Sequence, residues 1–189
     1  MAMDSGRGNS FTDLIRNLQK TTRYEDLSWS GSFNDYLNLV RENPKVTRNA
    51  FQRMYDLILS FGTTSYVEYK KTIVRYKFFD DPMDHGKDAV FGLDVQLMKL
   101  VHFFKSAAFG YGTEKRVLLL HGPVGSAKST IARLLKKGLE AYSRTPEGAL
   151  YSFDWEIERG HDGTTRLERQ PCPMNEDPLH LVPPEWRRQ

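Results

Sequence analysis

A short segment in the second half of the chain combines the residue types that bind phosphate. It reads GPVGSAKS and follows the pattern G-x-x-x-x-G-K-[ST] at Gly122, Lys128 and Ser129. In such a segment, successive backbone N–H groups and the first turn of the next helix surround an anion. The lysine reaches the outer phosphates of a nucleotide, and the serine hydroxyl binds Mg²⁺. The spacing therefore predicts a nucleotide-binding loop, with Lys128 as its catalytic residue and Ser129 as its metal ligand.

One position of this loop departs from the pattern. Ala127 stands where the last glycine belongs. Alanine fits there with little strain if the backbone is already helical, whereas a positive φ would strain it and reduce the affinity. Gly125 is expected to let the backbone approach the phosphates closely. The predicted nucleotide-binding residues of the loop are Gly122, Pro123, Val124, Gly125, Ser126, Ala127, Lys128, Ser129 and Thr130.

Two further segments carry residues that could complete a nucleotide site. Val90, Phe91 and Gly92 form a small apolar turn upstream of the loop, and we predict that this turn is one wall of an adenine pocket. Ordinary core packing is the alternative for the turn. Asp154 and Glu156 follow an apolar run, and acids at the C-terminal end of a parallel strand face the ligand crevice. Asp154 is therefore a candidate Mg²⁺-side acid or base, with a solvated strand end as the alternative.

The apolar pattern around the loop predicts an α/β fold. Val117–His121 and Ala149–Phe153 are short apolar runs, typical of strands buried on both faces of a parallel sheet. Between them, the residues after the loop have helical periodicity, and the inward positions are Ile131, Leu134, Leu135 and Leu139. Strand, glycine-rich loop, helix and strand in this order favour a P-loop NTPase with a three-layer core, whose sheet is incomplete in this chain.

The residues before this unit are predicted to form a separate region. Residues 1–10 are expected to be a disordered leader, and residues 11–81 a helical N-terminal region that includes a strand or hairpin. Residues 82–189 are expected to be the partial nucleotide-binding domain. The chain after residue 156 is polar and rich in proline, and we predict that it is irregular.

Capping and stop signals predict where the helices begin and end. Ser32 and Asp35 resemble a capping box at the start of one helix, and Pro44 is expected to end it. A second helix is expected to stop at Gly62. A third, strongly amphipathic helix is predicted over residues 93–107.

The composition indicates a soluble globular protein. Of the 189 residues, 39% are apolar and 27% are charged, which excludes low-complexity disorder for most of the chain. No apolar run approaches the roughly 20 residues that cross a bilayer, and the N-terminus lacks the apolar segment of a secretory signal. The net charge of +3 does not indicate a nucleic-acid partner. Cys172 is the only cysteine, so the chain can form no internal disulfide and a cytoplasmic protein is predicted.

Four segments resemble the N-terminal part of the PrkA family, bacterial serine protein kinases with an AAA-type P-loop domain. The segments are Phe33–Val40, Arg53–Ile58, Arg75–Ala89 running into Phe91-Gly92, and above all Gly122–Trp155. The similarity extends over residues 25–189, which is most of the chain. It implies an AAA-type domain that binds ATP with Mg²⁺. The family's nucleotide loop matches Gly122, Gly125, Lys128, Ser129 and Thr130, and Val90–Gly92 resembles the segment that lines adenine.

The resemblance also implies an activity and partners. Transfer of the γ-phosphoryl group to a protein serine, or ATP hydrolysis, is expected of the whole protein, and a homo-oligomer is possible by analogy. Members of the family are several times longer, and the kinase elements H-R-D, D-F-G and V-A-I-K do not occur here. A Walker B acid and an arginine finger are expected only beyond Gln189, so weak or no turnover is expected of this chain alone.

Three alternatives remain open at this point. The first is an AAA+ ATPase module with a regulatory role and no kinase activity. The second is a P-loop kinase for a small molecule, although such enzymes have the loop near the N-terminus and not at Gly122. The third is an interaction module that binds nucleotide without turnover.

Overall fold

The computed structural model describes residues 29–161 and 164–187. The predicted leader and the first part of the predicted N-terminal helical region lie outside these residues. The helices are α1 (Phe33–Glu42), α2 (Ala50–Ser60), α3 (Asp94–Ala108) and α4 (Lys128–Tyr142), and the strands are β1 (Thr63–Glu68), β2 (Lys71–Tyr76), β3 (Asp154–His161) and β4 (Thr164–Pro171). Short 3-10 turns occur at Pro44–Thr47, Lys77–Asp80, Pro82–Asp84, Thr113–Lys115 and Pro178–Leu181. None of the helices in this part of the chain has the length and hydrophobicity to cross a membrane.

Local signals set the ends of the first two helices. The N–H of Asp35 donates to the Ser32 hydroxyl at 3.3 Å, and the Ser32 N–H donates back to the Asp35 carboxylate at 2.9 Å. The predicted capping box is therefore confirmed, and α1 ends before Pro44 as expected. A second capping box, between Asn49 and Gln52, begins α2.

The predicted strand or hairpin is confirmed as the antiparallel pair β1–β2. The register pairs Thr63 with Tyr76 and Glu68 with Lys71. Two residues connect the strands, and both have positive φ values, which matches the right-handed twist of a hairpin. The Tyr66 hydroxyl donates to the Asp94 carboxylate at 2.9 Å, so the hairpin is bound to the first turn of α3.

One buried cluster joins α2, α3 and α4. Its members are Leu57, Ile58, Tyr76, Phe78, Phe79, Val90, Leu97, Leu100, Val101, Phe104, Ile131, Leu134 and Tyr142. The cluster contains residues from both sides of position 82. Phe78 is fully buried, and its ring lies against Gly138 of α4. A Cβ at position 138 would come within 2.5 Å of that ring and 3.1 Å of Leu57, so a glycine lets α4 approach closely.

A buried arginine connects α2 with the chain after α4. The Arg53 side chain donates to the carbonyl of Val46 at 3.2 Å, to that of Ala149 at 2.6 Å, and also to that of Gly148. Burial lowers the pKa of Arg53, because the charged form loses solvent. The carbonyl oxygens compensate part of this loss, and they fix the position where residues 149–153 begin.

The two predicted strands of the parallel sheet are not formed in the described residues. Val117–His121 and Ala149–Phe153 have no regular secondary structure, and the two sheets present are antiparallel pairs. Val117 is 95% exposed and Leu119 is 79% exposed. A strand forms only when neighbouring strands complete its hydrogen bonds. In the described residues no strand ladder includes these runs, and Phe153 accepts a single backbone hydrogen bond, from Cys172 at 3.0 Å. The prediction of buried strands is therefore wrong for this structure.

The prediction of an irregular chain after residue 156 is wrong for residues 157–161 and 164–171, whereas residues 172–187 have no regular structure except the short 3-10 turn at Pro178–Leu181. β3 and β4 form an antiparallel hairpin in which Trp155 pairs with Gln170 and Glu156 with Arg169. The Glu156 and Arg169 side chains form a salt bridge at 3.0 Å. Such cross-strand pairs contribute only about 0.2–1 kcal/mol each. Trp155 and Ile157 alternate with charged residues along β3, so a largely polar sequence is compatible with strands.

We expect Gly138→Ala to lower the free energy of unfolding by about 1–2 kcal/mol. Overpacking of a buried site costs about 1–3 kcal/mol, and a Cβ only 2.5 Å from the Phe78 ring corresponds to the upper part of that range. The higher helix propensity of alanine returns about 1 kcal/mol. Urea unfolding followed by circular dichroism measures the change. Lys136→Ala, on the exposed side of the same helix, is the control and should change the stability by less than about 0.5 kcal/mol. A Gly138→Ala protein as stable as the wild type would contradict the close approach of Phe78.

Candidate functional site

The predicted nucleotide loop leads directly into α4. A turn spans Pro123–Ser126: the Ser126 hydroxyl donates to the Pro123 carbonyl at 2.8 Å, and the Ser126 N–H donates to it at 3.4 Å. Val124, at the tip of this turn, is fully exposed. The first helical residue of α4 is Lys128, and no side chain caps the helix. The N–H groups in the first turn of α4 therefore have no acceptor within the helix.

Lys128 curls back over the loop. Its Nζ donates to the Gly122 carbonyl at 2.9 Å, to the Pro123 carbonyl at 2.5 Å and to the Ser126 hydroxyl at 3.0 Å. All three acceptors are uncharged. A phosphate oxygen would be a stronger, charge-assisted acceptor for the same ammonium group. The Lys128 ammonium group therefore lies within the loop, at the place where the sequence predicts that a phosphate would bind.

The backbone changes from a left-handed to a right-handed conformation where the loop meets α4. Ala127 has φ 56° and ψ 12°, which is left-handed, and Lys128 is helical. Such an alternation directs successive N–H groups to one side and creates a concavity for an anion. The N–H groups concerned include those of Lys128, Ser129 and Thr130. Of the two backbone conformations considered for Ala127 from the sequence, the structure therefore has the strained one with positive φ.

Two glycines of the predicted site are explained by their backbone angles. Gly125 has φ 83° and Gly92 has φ 72°, values that favour glycine. A Cβ at either position would meet nothing within 4 Å, so the angle and not a close contact requires glycine here. Gly122 is different, because a Cβ there would lie 2.7 Å from the Ser126 hydroxyl.

The predicted adenine wall divides between core and surface. Val90 is buried in the same cluster as Ile131 and Leu134 of α4, and Ala127 packs against that cluster. The Val90 N–H donates to the Phe79 carbonyl at 2.9 Å. Phe91 is 71% exposed, and the guanidinium of Arg75 lies 6.0 Å from its ring centroid. Core packing therefore accounts for Val90, while Phe91 keeps an exposed aromatic face.

An acidic loop beside the wall contacts α4 and was missed by the sequence reasoning. Its members are Asp81, Asp84 and Asp88, and their basic partners are Arg133 and Lys137. Lys137 lies 3.1 Å from Asp84 and 3.1 Å from Asp81, and the Asp81 side chain is fully buried. The signal in the sequence was the four-residue spacing of Ser129, Arg133 and Lys137, which places them on one helix face.

Asp154 lies in a different part of the molecule. It lines a groove of about 940 Å³ with Trp29, Tyr36, Tyr151 and other residues, none of which belongs to the nucleotide loop. The Tyr36 hydroxyl donates to Asp177 at 2.6 Å, and burial together with this bond raises the pKa of Tyr36. The structure does not bring Asp154 to Ser129 and Lys128.

We expect Ala127→Gly to raise the free energy of unfolding by up to about 1 kcal/mol. A left-handed alanine costs about 1–2 kcal/mol, and the greater freedom of glycine in the unfolded chain cancels part of the gain. The control is Ala132→Gly in the exposed interior of α4, which should lower the stability by about 1 kcal/mol. Urea unfolding measures both. Equal losses in the two variants would contradict the positive φ at Ala127.

We expect the stability to fall as the pH drops below about 4. A hydrogen bond from Lys137 lowers the pKa of Asp84 from its usual 3.8, and one from Arg133 does the same for Asp88. The pKa values of both carboxyl groups are lower in the folded than in the unfolded chain. The stabilisation is therefore complete above the unfolded pKa, and it is lost as the pH falls through the folded pKa values. Urea titrations from about pH 7 to about pH 3 measure the slope.

The double variant Asp84→Asn with Asp88→Asn should show a smaller slope. The residual slope should include Asp35, whose pKa is lowered by its hydrogen bonds with Ser32. An unchanged slope in the double variant would show that these two carboxylates do not carry the acid sensitivity.

Comparison with known proteins places the chain in a family. The family model of the PrkA AAA domain matches residues 31–189. The ATP-dependent protease PrkA of Bacillus subtilis (strain 168) is 38% identical over 177 residues, which are 93% of this chain and 24% of that protein. An uncharacterized protein in the gldA 5' region of Geobacillus stearothermophilus is 32% identical over 107 residues, which are 56% of this chain and 99% of that protein. No solved structure gives a significant match.

These matches confirm the predicted resemblance. The chain spans 24% of the length of the Bacillus subtilis relative, so it corresponds to one part of that longer protein. The described helices and small sheets form a mixed α/β arrangement. This chain belongs to the PrkA family, and it is an AAA domain of that family.

Proposed function

We propose that this chain is an ATP-binding module with the loop at Gly122–Ser129 as its phosphate site. The observation that carries the proposal is the backbone reversal at Ala127, followed at once by the uncapped first turn of α4. This geometry offers several N–H groups to one anion. Membership of an AAA family supports a nucleotide as the ligand.

The residues present fit a nucleoside triphosphate. The N–H groups of Lys128, Ser129 and Thr130 donate to phosphate oxygens. The Lys128 ammonium leaves the loop carbonyls for the outer phosphates, where its charge has a stronger acceptor. Ser129, exposed in the first turn of α4, supplies a hydroxyl for Mg²⁺. The bound nucleotide supplies the γ-phosphoryl group, and Mg²⁺ neutralises its charge.

We assign the adenine to the turn at Val90–Gly92. Phe91 presents an exposed ring on which a base can stack, and Gly92 leaves open space beside the backbone. Val90, in turn, fixes this turn to the core cluster next to Ile131. Because Val90 is buried and Phe91 is exposed, the turn can present an aromatic ring at a fixed position.

The three-layer P-loop core would be completed by chain outside the described residues. Val117–Leu120 precede the loop and expose apolar side chains. Apolar residues on both faces are typical of a strand in the middle of a parallel sheet. We assign the strands that would pair with this segment, the Walker B acid and an arginine finger to a longer protein. Assembly of that protein into an ATP-dependent homo-oligomer, and a cytoplasmic location, belong to the same proposal.

We propose that the whole protein uses ATP turnover to act on a protein substrate. The Bacillus subtilis relative is named an ATP-dependent protease, which supports hydrolysis coupled to handling of a protein. Transfer to a protein serine, which the family resemblance suggested, stays a prediction. The position of Asp154 away from Lys128 speaks against a compact small-molecule kinase, because that reading used the acid at the end of the second strand.

We expect Mg²⁺·ATP to bind the wild-type chain and Lys128→Ala to bind it at least about tenfold more weakly. Loss of one charged hydrogen-bond donor costs about 1.5–3 kcal/mol, and 1.4 kcal/mol corresponds to a factor of ten. Isothermal titration calorimetry measures the dissociation constants. Lys136→Ala, exposed on the same helix, is the charge-matched control and should bind like the wild type.

Two further measurements sharpen the test. Ala127→Gly should bind Mg²⁺·ATP as tightly as the wild type, because the backbone strain at position 127 is already present without nucleotide and its relief does not favour the bound state. In the longer protein, release of inorganic phosphate without phosphoserine separates hydrolysis from kinase transfer. Absence of binding to folded wild-type protein, in this chain and in the longer one, would refute the proposed function.

A further inference from the structure

We propose that Asp81, Asp84, Asp88, Arg133 and Lys137 form a positioning clamp for recognition of the base. The clamp holds the turn at Val90–Gly92 at a fixed place beside α4, and α4 carries the phosphate loop at its start. The five residues are positioning residues, since none of them is assigned a contact with the nucleotide. The inference rests on the proposed function, and it predicts which part of the ligand the clamp serves.

The shortest connection runs from α4 to the wall through Arg133. Its Nε donates to Oδ2 of Asp88 at 2.9 Å, and Nη2 donates to the other carboxylate oxygen. A bidentate pair of this kind fixes orientation as well as distance. Asp88 is only two residues from Val90, so this pair constrains the backbone that enters the wall.

A second connection comes from the next turn of the same helix face. Lys137 bridges Asp81 and Asp84, each at 3.1 Å. Asp81 has a left-handed backbone and a fully buried side chain, and its Oδ2 accepts the N–H of Asp88 at 3.0 Å. Both connections therefore end on one short loop, and Asp81 joins them.

The position of the clamp on α4 links it to the phosphate end. Ser129, Arg133 and Lys137 follow each other at intervals of four residues, so they lie on one face of the helix. Ser129 belongs to the predicted site, and Arg133 lies one turn away from it. This face therefore begins at the proposed phosphate loop, and its two basic residues contact the acidic loop that leads to the turn at Val90–Gly92.

Burial of two carboxylates, those of Asp81 and Asp88, distinguishes the clamp from ordinary surface ion pairs, although Arg133 is 58% exposed and Asp84 is 45% exposed. Asp88 is 15% exposed and Asp81 is fully buried, whereas both partners of the pair between Glu140 and Arg144 on the same helix are well exposed. Exposed pairs contribute little to stability. Removal of Lys137 would leave a buried carboxylate without its cation, which destabilises the fold. Arg133 and Asp88 are therefore the cleaner positions for a binding experiment.

The test compares two ligands, Mg²⁺·ATP and Mg²⁺·tripolyphosphate. The second has the phosphates and lacks the base. We expect Arg133→Gln and Asp88→Asn to weaken binding of ATP about tenfold and to leave binding of tripolyphosphate within about twofold. Arg133→Lys should restore part of the ATP affinity. Arg144→Gln is the matched control and should bind both ligands as the wild type does.

Calorimetry on the full chain gives the dissociation constants, and urea unfolding confirms that each variant is folded at the temperature used. An equal loss for both ligands, or no loss for ATP, would overturn the clamp while leaving the proposed function intact. Failure of the wild type to bind either ligand would overturn the proposed function, and the clamp with it.

Discussion

The contact between Phe78 and Gly138 is the constraint on which the candidate site depends. Phe78 belongs to the short turn that follows β2, and it enters the space that the missing side chain of Gly138 leaves on α4. The acidic loop begins three residues later at Asp81. One close contact therefore fixes the helix that starts at the phosphate loop and the segment that leads to Val90. Close packing in the core therefore positions both the start of α4 and the turn at Val90–Gly92.

Electrostatics then refines what the core has placed. Apolar packing has no direction, so it holds α4 against the turn without fixing the rotation of the loop between them. The bidentate pair of Arg133 with Asp88 adds that direction. The buried Asp81 carboxylate is costly to desolvate, and its bonds to Lys137 and to the Asp88 backbone compensate the cost. The core and the charges thus act on the same two elements in different ways.

The parts that the sequence predicts well are those with local causes. The capping box at Ser32, the hairpin before Phe78 and the amphipathic face of α4 all depend on residues within a few positions of one another. Val117–His121 does not form the predicted strand, because the strands that would pair with it must come from residues far away in the sequence. The β3–β4 hairpin was missed because charged residues occupy most positions of its strands, and only Trp155 and Ile157 alternate as apolar residues along β3. The loop at Gly122–Ser129 was found from spacing alone, but spacing could not give the backbone angle at Ala127 or the contacts of Arg133.

Lys128 has a consequence for how the loop meets an anion. Its ammonium group already has three oxygen partners within the loop. Ligand capture is therefore an exchange reaction, in which the lysine gives up internal acceptors as it gains external ones. In the proposed function, the affinity for a phosphate ligand would be the difference between these internal hydrogen bonds and the new ones. Such an exchange would favour ligands with several linked phosphates, because they offer the ammonium group more charged acceptors than a single anion does.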